Sequence, residues 1–219
     1  HQDTLAELEQ ATRDELVRIA HLIYERGYNV SIDGNVSARL PDGTILITPS
    51  GAHNGFVTAD QLVVMDLDGN VVRGQGRASS ERILHLEAYR VRPDVGAVIH
   101  AHAPHALAAS LAGIDLMQIV VSVAPVPTTE YARPSSAESA ERMRPFLRGY
   151  DWGILPRHGV VTMGPDLWSA FLRLEGLEHY AHVVLLAHAT GRPIAPLSGD
   201  RQTELLRFWG LGDRGEHLR

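Results

Sequence analysis

Three histidines, His100, His102 and His105, accompany an apolar run in the segment VGAVIHAHAPHALAAS, residues 95–110. If the run is a strand, Val98, His100 and His102 project from one face, because successive side chains of a strand alternate. Two imidazoles held side by side on a rigid element suit a metal ion, which needs donors at a fixed separation. The alternative is a half-polar strand whose histidines meet solvent or a hydrogen-bond partner.

Other candidate ligands lie elsewhere in the chain. His158 precedes Gly159 on a second strand-like segment. Carboxylate–histidine pairs at i, i+4 spacing share a helix face; these are Glu81/His85, Glu175/His179 and Glu178/His182, with His188 further on. The two pairs nearer the C-terminus, Glu175/His179 and Glu178/His182, are equally well explained as ion pairs along the edge of an exposed helix. Three neutral imidazoles and one carboxylate suit a borderline divalent metal, and that set is His100, His102, His158 and Glu81. Spacing alone leaves their convergence open.

Small polar residues form a second candidate constellation in three short segments. These are GN at 34–35, TPSG at 48–51 and SS at 79–80. Hydroxyls, an amide and glycine N–H groups are good donors to an anion, and the serine pair stands at a predicted helix start, where free N–H groups favour phosphate. Each segment alone is also explained by a turn or an N-cap. Arg39 and Arg77 are the candidate basic helpers.

The composition limits the classes of function open to this chain. It has 219 residues, 44% of them hydrophobic and 21% charged, with a net charge of −6 and no cysteine. Disulfides, thiolate metal sites and a cysteine nucleophile are therefore excluded, and the acidic balance argues against a broad nucleic-acid surface. No apolar run approaches the roughly 20 residues that cross a bilayer, and no signal segment is recognisable. The expected location is the cytoplasm, without membrane or nucleic-acid partners.

Hydrophobic periodicity and turn residues predict alternating helices and strands. The predicted helices cover residues 4–30 (with Gly27 as the stop), 79–93 (capped by Ser79 or Ser80), 104–113, 136–149 and 166–191. The predicted strands lie within residues 34–51, 61–74, 95–102, 116–123 and 152–164. The hairpins imply a largely antiparallel sheet, so we expect one mixed α/β domain over residues 1–219.

The order of the motifs resembles the class II aldolase/adducin family. The matching segments are GNVSAR, ILITPSG, SSE, HLEAYRVRPDVGAVIHAH, RHGVV and LEGLEHYAH, and they extend from about residue 12 to about residue 195. The resemblance implies that His100, His102 and His158 bind one divalent ion per chain, zinc before manganese or cobalt. Glu81 becomes the carboxylate, either as a ligand or as an acid/base. The implied substrate-phosphate cradle consists of Gly34, Asn35, Ser50, Gly51, Ser79 and Ser80.

The same resemblance implies architecture and assembly. We expect a three-layer α/β/α fold around a mainly antiparallel sheet, and a homotetramer with active sites at the subunit interfaces. His85 and the histidines of the late helix then have structural roles.

The resemblance implies a metal-dependent carbon–carbon lyase. The first expectation is retro-aldol cleavage of a phosphorylated ketose to dihydroxyacetone phosphate and an aldehyde. However, Val121 and Trp209 stand where the family's aldolases carry acid/base tyrosines, while Tyr131 lies in a common structural position and His53 and Asn54 follow the cradle loop. The alternatives are a decarboxylase of a hydroxylated aromatic or keto acid, a sugar-phosphate epimerase or dehydratase, and a non-enzymatic adducin-like module.

Overall fold

A seven-stranded antiparallel sheet is the central layer of the computed structural model, which describes residues 3–117 and 125–210. The strands are β1 (Asn35–Arg39), β2 (Ile45–Ile47), β3 (Val63–Met65), β4 (Val71–Arg73), β5 (Ala97–Ala101), β6 (Trp152–Leu155) and β7 (Gly159–Gly164). Their order across the sheet is β4-β3-β2-β1-β5-β7-β6, and each pairing is antiparallel. The predicted antiparallel sheet is confirmed.

Helices cover both faces of this sheet. Within the described ranges they are α1 (Leu5–Glu25), α2 (Arg82–Val91), α3 (Pro104–Leu111), α4 (Ala137–Leu147), α5 (Leu167–Ala189) and α6 (Gly199–Phe208). One buried apolar cluster joins α1, α3 and α5 to the sheet, and a second cluster joins α2 and α4 to it. This division confirms the expected three-layer α/β/α fold. None of the helices in the described ranges is long and apolar enough to cross a membrane.

The alternation of β5 decides which side chains reach the site. Ala97, Ile99 and Ala101 belong to the first apolar cluster, whereas Val98 belongs to the second. His100 therefore shares the face of Val98, as the sequence predicted. Because β5 runs antiparallel to both neighbours, its carboxyl end meets the first residue of β1, with Asn35 opposite His100.

Several local expectations differ from the structure. Helix α2 begins at Arg82 with Glu81 at the N-cap, not with Ser79 or Ser80, because the Arg82 amide bonds to the Ser79 carbonyl and closes a turn first. His158 lies in the turn between β6 and β7, not on a strand. Helix α6 was not predicted from the sequence. The strand predicted over residues 116–123 falls mostly outside the described residues.

Candidate metal centre and anion cradle

Three imidazoles converge at the carboxyl end of β5. One ring nitrogen from each of His100, His102 and His158 lies within 4.8 Å of the other two. The ring centroids are 4.5 Å apart for His100 and His158 and 5.1 Å apart for each pair with His102. Two of the rings come from β5 and the residue after it, and the third comes from the turn that enters β7. The sheet thus unites residues that are far apart in the sequence.

Hydrogen bonds to the other ring nitrogens orient these imidazoles. His100 Nδ1 lies 2.9 Å from the Val160 carbonyl oxygen, which can only accept, so Nδ1 carries the proton and Nε2 carries the lone pair. His102 Nδ1 lies 3.2 Å from the Asp33 carboxylate. Such outer contacts fix the tautomer and orientation of metal-binding histidines.

Burial keeps two of these rings in the neutral form that a metal requires. Burial, reinforced by the neighbouring His158 and His102, lowers the pKa of His100 well below its ordinary value. Burial and His102 lower the pKa of His158 to about 4, against an opposing effect of Asp33. Both side chains are therefore unprotonated near neutral pH, with lone pairs free to bind a cation.

Glu81 brings a carboxylate to the edge of the three-histidine group. Its Oε1 lies 3.9 Å from His158 Nε2 and accepts a hydrogen bond of 2.7 Å from the Ser135 hydroxyl. Its Oε2 is buried and has no hydrogen-bond partner among the described residues. Burial raises the pKa of this carboxyl group, while Ser135 and His102 act in the opposite direction. An unpartnered buried carboxylate oxygen is costly unless a proton or a cation satisfies it, so this donor set fits a divalent metal ion.

The three cradle segments lie side by side next to this group. The Val36 and Thr48 backbones are bonded, Pro49 bridges to Ala78, and the Ser50 amide donates to the Arg77 carbonyl. These contacts make neighbours of the segments that contain the predicted cradle residues Gly34, Asn35, Ser50, Gly51, Ser79 and Ser80. Since Asn35 is paired with His100, the cradle adjoins the histidines through one strand pairing.

Two asparagines support this loop region. Gly34 has φ +77°, and a Cβ there would lie 2.1 Å from Asn29 Nδ2, so the position requires glycine. Asn29 Oδ1 also accepts from the His102 backbone amide at 3.0 Å. Asn54 Nδ2 donates to the carbonyls of Asp33 and Gly34. The sequence contains no signal for the Asn29 contact, which joins residues 73 positions apart, and it indicates only that Asn54 is near the cradle loop.

His85 and the two candidate arginines have other surroundings. His85 is fully buried between Ser37, at 2.6 Å, and the Asn35 side chain, and burial lowers its pKa to about 3. The guanidinium of Arg39 donates to two backbone carbonyls and stacks on Tyr89, at the opposite end of β1 from Asn35. Arg39 is therefore not a helper for the anion, which corrects that expectation. Arg77 is exposed in the segment bonded to the Ser50 loop.

Among the described residues, the carboxylate–histidine candidates of α5 have partners outside the three-histidine group. Glu178 accepts from the His105 and Ala106 amides at the start of α3, and the His105 ring stacks on His182 at 3.9 Å. Glu175 forms an ion pair with Arg26.

His53 packs against Tyr24 and Phe56, beside the loop that carries Asn54. Tyr131 is 56% exposed, and Trp209 is the C-cap of α6. Val121 lies outside the described residues.

Comparison with known proteins identifies the family to which this fold and site belong. Residues 14–185 match the family described as Class II Aldolase and Adducin N-terminal domain. The chain belongs to the class II aldolase/adducin family, which confirms the expected resemblance. A solved structure of an L-fuculose 1-phosphate aldolase superposes with a TM-score of 0.83 at 27% identity, covering 91% of this chain and 96% of the other.

Two curated relatives are named for different reactions. A 3-oxo-tetronate 4-phosphate decarboxylase of Pectobacterium atrosepticum is 33% identical over 216 residues, 94% of this chain and 98% of the relative. An L-fuculose phosphate aldolase of Methanocaldococcus jannaschii is 34% identical over 178 residues, 80% of this chain and 96% of the relative. The expected enzyme class, a metal-dependent class II aldolase type, is thereby confirmed, and the non-enzymatic alternative is disfavoured.

Proposed function

We propose that this protein is a metal-dependent decarboxylase of a phosphorylated 3-oxo sugar acid, which it converts to a phosphorylated ketose. The observation that carries this choice is the combination of a phosphate-type cradle and a three-histidine group with Trp209 and Val121 at the two family tyrosine positions. Loss of CO2 produces no aldehyde, so decarboxylation does not need a tyrosine that acts as an acid or base on an aldehyde oxygen. The curated relative with the longest alignment reported above has a name of this reaction type.

The metal in this proposal is zinc, one ion per chain, with manganese or cobalt as substitutes. His100, His102 and His158 would hold it through ring nitrogens, and Glu81 would supply an oxygen. Three nitrogens and one oxygen are typical of catalytic zinc sites. A divalent cation there supplies Lewis-acid stabilisation for negative charge that develops on the substrate's ketone and hydroxyl oxygens.

The chain's own residues would bind the substrate and move one proton. The cradle residues donate neutral hydrogen bonds to the phosphate, and the strand pairing of Asn35 with His100 sets the distance between phosphate and reacting ketone. When the carbon–carbon bond breaks, its electron pair remains on the carbon next to the ketone. When substrate oxygens replace it at the metal, Glu81 would take up a proton from water, which its burial-raised pKa favours, and would deliver that proton to this carbon.

Retro-aldol cleavage of a phosphorylated ketose is the second candidate, supported by the relative from Methanocaldococcus jannaschii. The two reactions are closely related chemically. Decarboxylation of a four-carbon 3-oxo acid 4-phosphate and retro-aldol cleavage of a ketose 1-phosphate both yield dihydroxyacetone phosphate. They differ only in the group that leaves, which is CO2 in the first reaction and an aldehyde in the second.

One pair of assays separates these candidates. The metal-loaded protein is incubated with 3-oxo-tetronate 4-phosphate and, separately, with L-fuculose 1-phosphate, and dihydroxyacetone phosphate is measured in both. We expect faster release from the keto acid, with one CO2 for each product molecule. Faster release from the ketose phosphate would replace decarboxylation by the second candidate.

A third measurement tests the step that both candidates share. Dihydroxyacetone phosphate alone should exchange one C–H with deuterium from D2O in the presence of the protein, because both reactions protonate that carbon. Absence of exchange and of both cleavages would contradict the proposal. The homotetramer with interfacial sites belongs to the same proposal and is tested by sedimentation.

A further inference from the structure

Ser135 has an unusual backbone conformation next to the metal centre. Its φ is +60°, in the left-handed region that disfavours residues with a Cβ. It immediately precedes Ser136, the N-cap of α4. Such conformations persist where surrounding interactions hold them, and they are concentrated at functional sites.

The Ser135 side chain accounts for a specific contact across the fold. Its hydroxyl donates to Glu81 Oε1 at 2.7 Å, joining residues 54 positions apart. Oε1 therefore has a hydrogen-bond donor, which comes from the residue just before the N-cap of α4. The second oxygen, Oε2, is buried and has no partner in the described part of the chain.

We propose that Ser135 is a positioning residue of the metal centre, which fixes the Glu81 carboxylate through Oε1 and leaves Oε2 as the oxygen presented to the cation. This inference rests on the proposed metal site. A carboxylate can rotate and can bind a metal through either oxygen or both. A hydroxyl donor on Oε1 restricts that freedom, and outer partners of this kind set the affinity of a metal site.

The positive φ of Ser135 allows a positioning role of its side chain to be distinguished from a purely structural role. Glycine would adopt φ +60° without a Cβ penalty, so Ser135→Gly removes both the hydroxyl and the strain. Ser135→Ala removes the hydroxyl and keeps the strain. The metal-free Gly variant should therefore unfold at a higher temperature than the metal-free Ala variant, although both have lost the contact with Glu81.

The test measures Zn2+ affinity by competition with a chromophoric chelator, together with the visible spectrum of Co2+-loaded protein. We expect both Ser135 variants to bind Zn2+ about 10–100-fold more weakly than the parent and to share an altered Co2+ spectrum. Ser31→Gly is the matched control, because Ser31 is exposed with φ 55°. It should leave affinity and spectrum unchanged.

A double variant tests whether Ser135 acts through Glu81. Glu81→Ala should weaken Zn2+ binding by itself, and Ser135→Ala added to it should cause no further loss. If Glu81→Ala weakens binding while both Ser135 variants bind like the parent, the role of Ser135 is overturned and the metal site stands. An additive further loss in the double variant also overturns this role. A parent protein that binds no metal overturns both this inference and the proposed function.

Discussion

His100 Nε2 and His158 Nε2 lie 3.1 Å apart, although 58 positions separate the two residues in the sequence. Since His100 Nδ1 bonds to a carbonyl, the lone pair of His100 Nε2 is directed at His158. Two facing imidazole nitrogens at this distance need either one proton between them or a shared cation. With His102 beside them, a cation gains a third nitrogen.

Loss of one imidazole should therefore remove most of the bound metal. We expect protein purified without chelator to hold close to one divalent ion per chain, and His102→Ala to hold far less. The measurement is elemental analysis of both proteins at equal concentration. His188→Ala provides a control, because His188 is exposed near the end of α5. A His102→Ala protein that binds metal as well as the parent would remove His102 from the ligand set.

The sequence predicted those features that depend on local pattern. The shared face of Val98 and His100 follows from strand alternation, and helix α1 follows from apolar spacing with a stop at Gly27. The start of α2 was wrong by a few residues, because a turn stabilised by the Ser79 carbonyl precedes the helix.

Features that depend on tertiary contacts were only partly predictable. The approach of His158 to His100 was expected from family resemblance, since no periodicity connects a turn with a distant strand. The contacts of Asn29 with His102 and of Ser135 with Glu81 join residues 73 and 54 positions apart. They depend on how the sheet and helices pack, which a single sequence does not encode as a motif.

Glu81→Gln should separate proton transfer from metal binding. The amide keeps the shape and one oxygen donor but removes the basic carboxylate, so we expect a loss of about 10²–10⁴ in turnover at saturating metal. Metal content and turnover should be measured on the same preparation. A variant that keeps both metal and near-normal turnover would leave Glu81 without a catalytic role.

The hydroxyl groups of the predicted cradle should bind the phosphate group of the substrate. Ser50→Ala and Ser80→Ala change exposed residues, and each should cost about 1–3 kcal/mol, or roughly tenfold to a hundredfold in kcat/KM, on a phosphorylated substrate. The loss should disappear with the unphosphorylated analogue. Ser110→Ala in α3 serves as the control. Equal losses on both substrates would contradict a phosphate role.

Gly34→Ala should damage both stability and metal binding. The new Cβ meets Asn29 Nδ2 at 2.1 Å, and Asn29 holds the His102 backbone. Gly27→Ala is a matched control, because Gly27 has φ +79° with nothing within 4 Å of a Cβ. Both variants should carry a backbone penalty of about 1–2 kcal/mol, and the collision should add about 1–3 kcal/mol for Gly34 alone. Urea unfolding and Zn2+ competition measure the two effects, and equal losses in both variants would exclude the collision.

The metal-free protein should lose stability as the pH falls below about 6.5. Burial holds the pKa of His85 at about 3 and that of His158 at about 4 in the folded state, against 6.5 as the ordinary value. Between these limits the unfolded chain binds protons that the folded chain refuses, so the stabilising contribution is fully present above pH 6.5 and is lost as the pH falls toward 4 and 3. The raised pKa of Glu81 acts in the opposite direction, because its folded form takes up a proton at higher pH than the unfolded chain does.

Thermal unfolding of the metal-free protein between pH 7.5 and pH 5 checks this sign. Three buried imidazoles, those of His85, His100 and His158, outweigh one carboxyl group in this window, so Tm should fall on acidification. His85→Gln removes one of the titrating groups and should flatten the dependence by up to about 1.4 kcal/mol per pH unit, whereas His188→Gln, on the exposed end of α5, should leave the slope unchanged. A Tm that rises from pH 7.5 to pH 5 would mean that these imidazoles are protonated in the folded protein, and neutral nitrogen ligands would then be absent from the site.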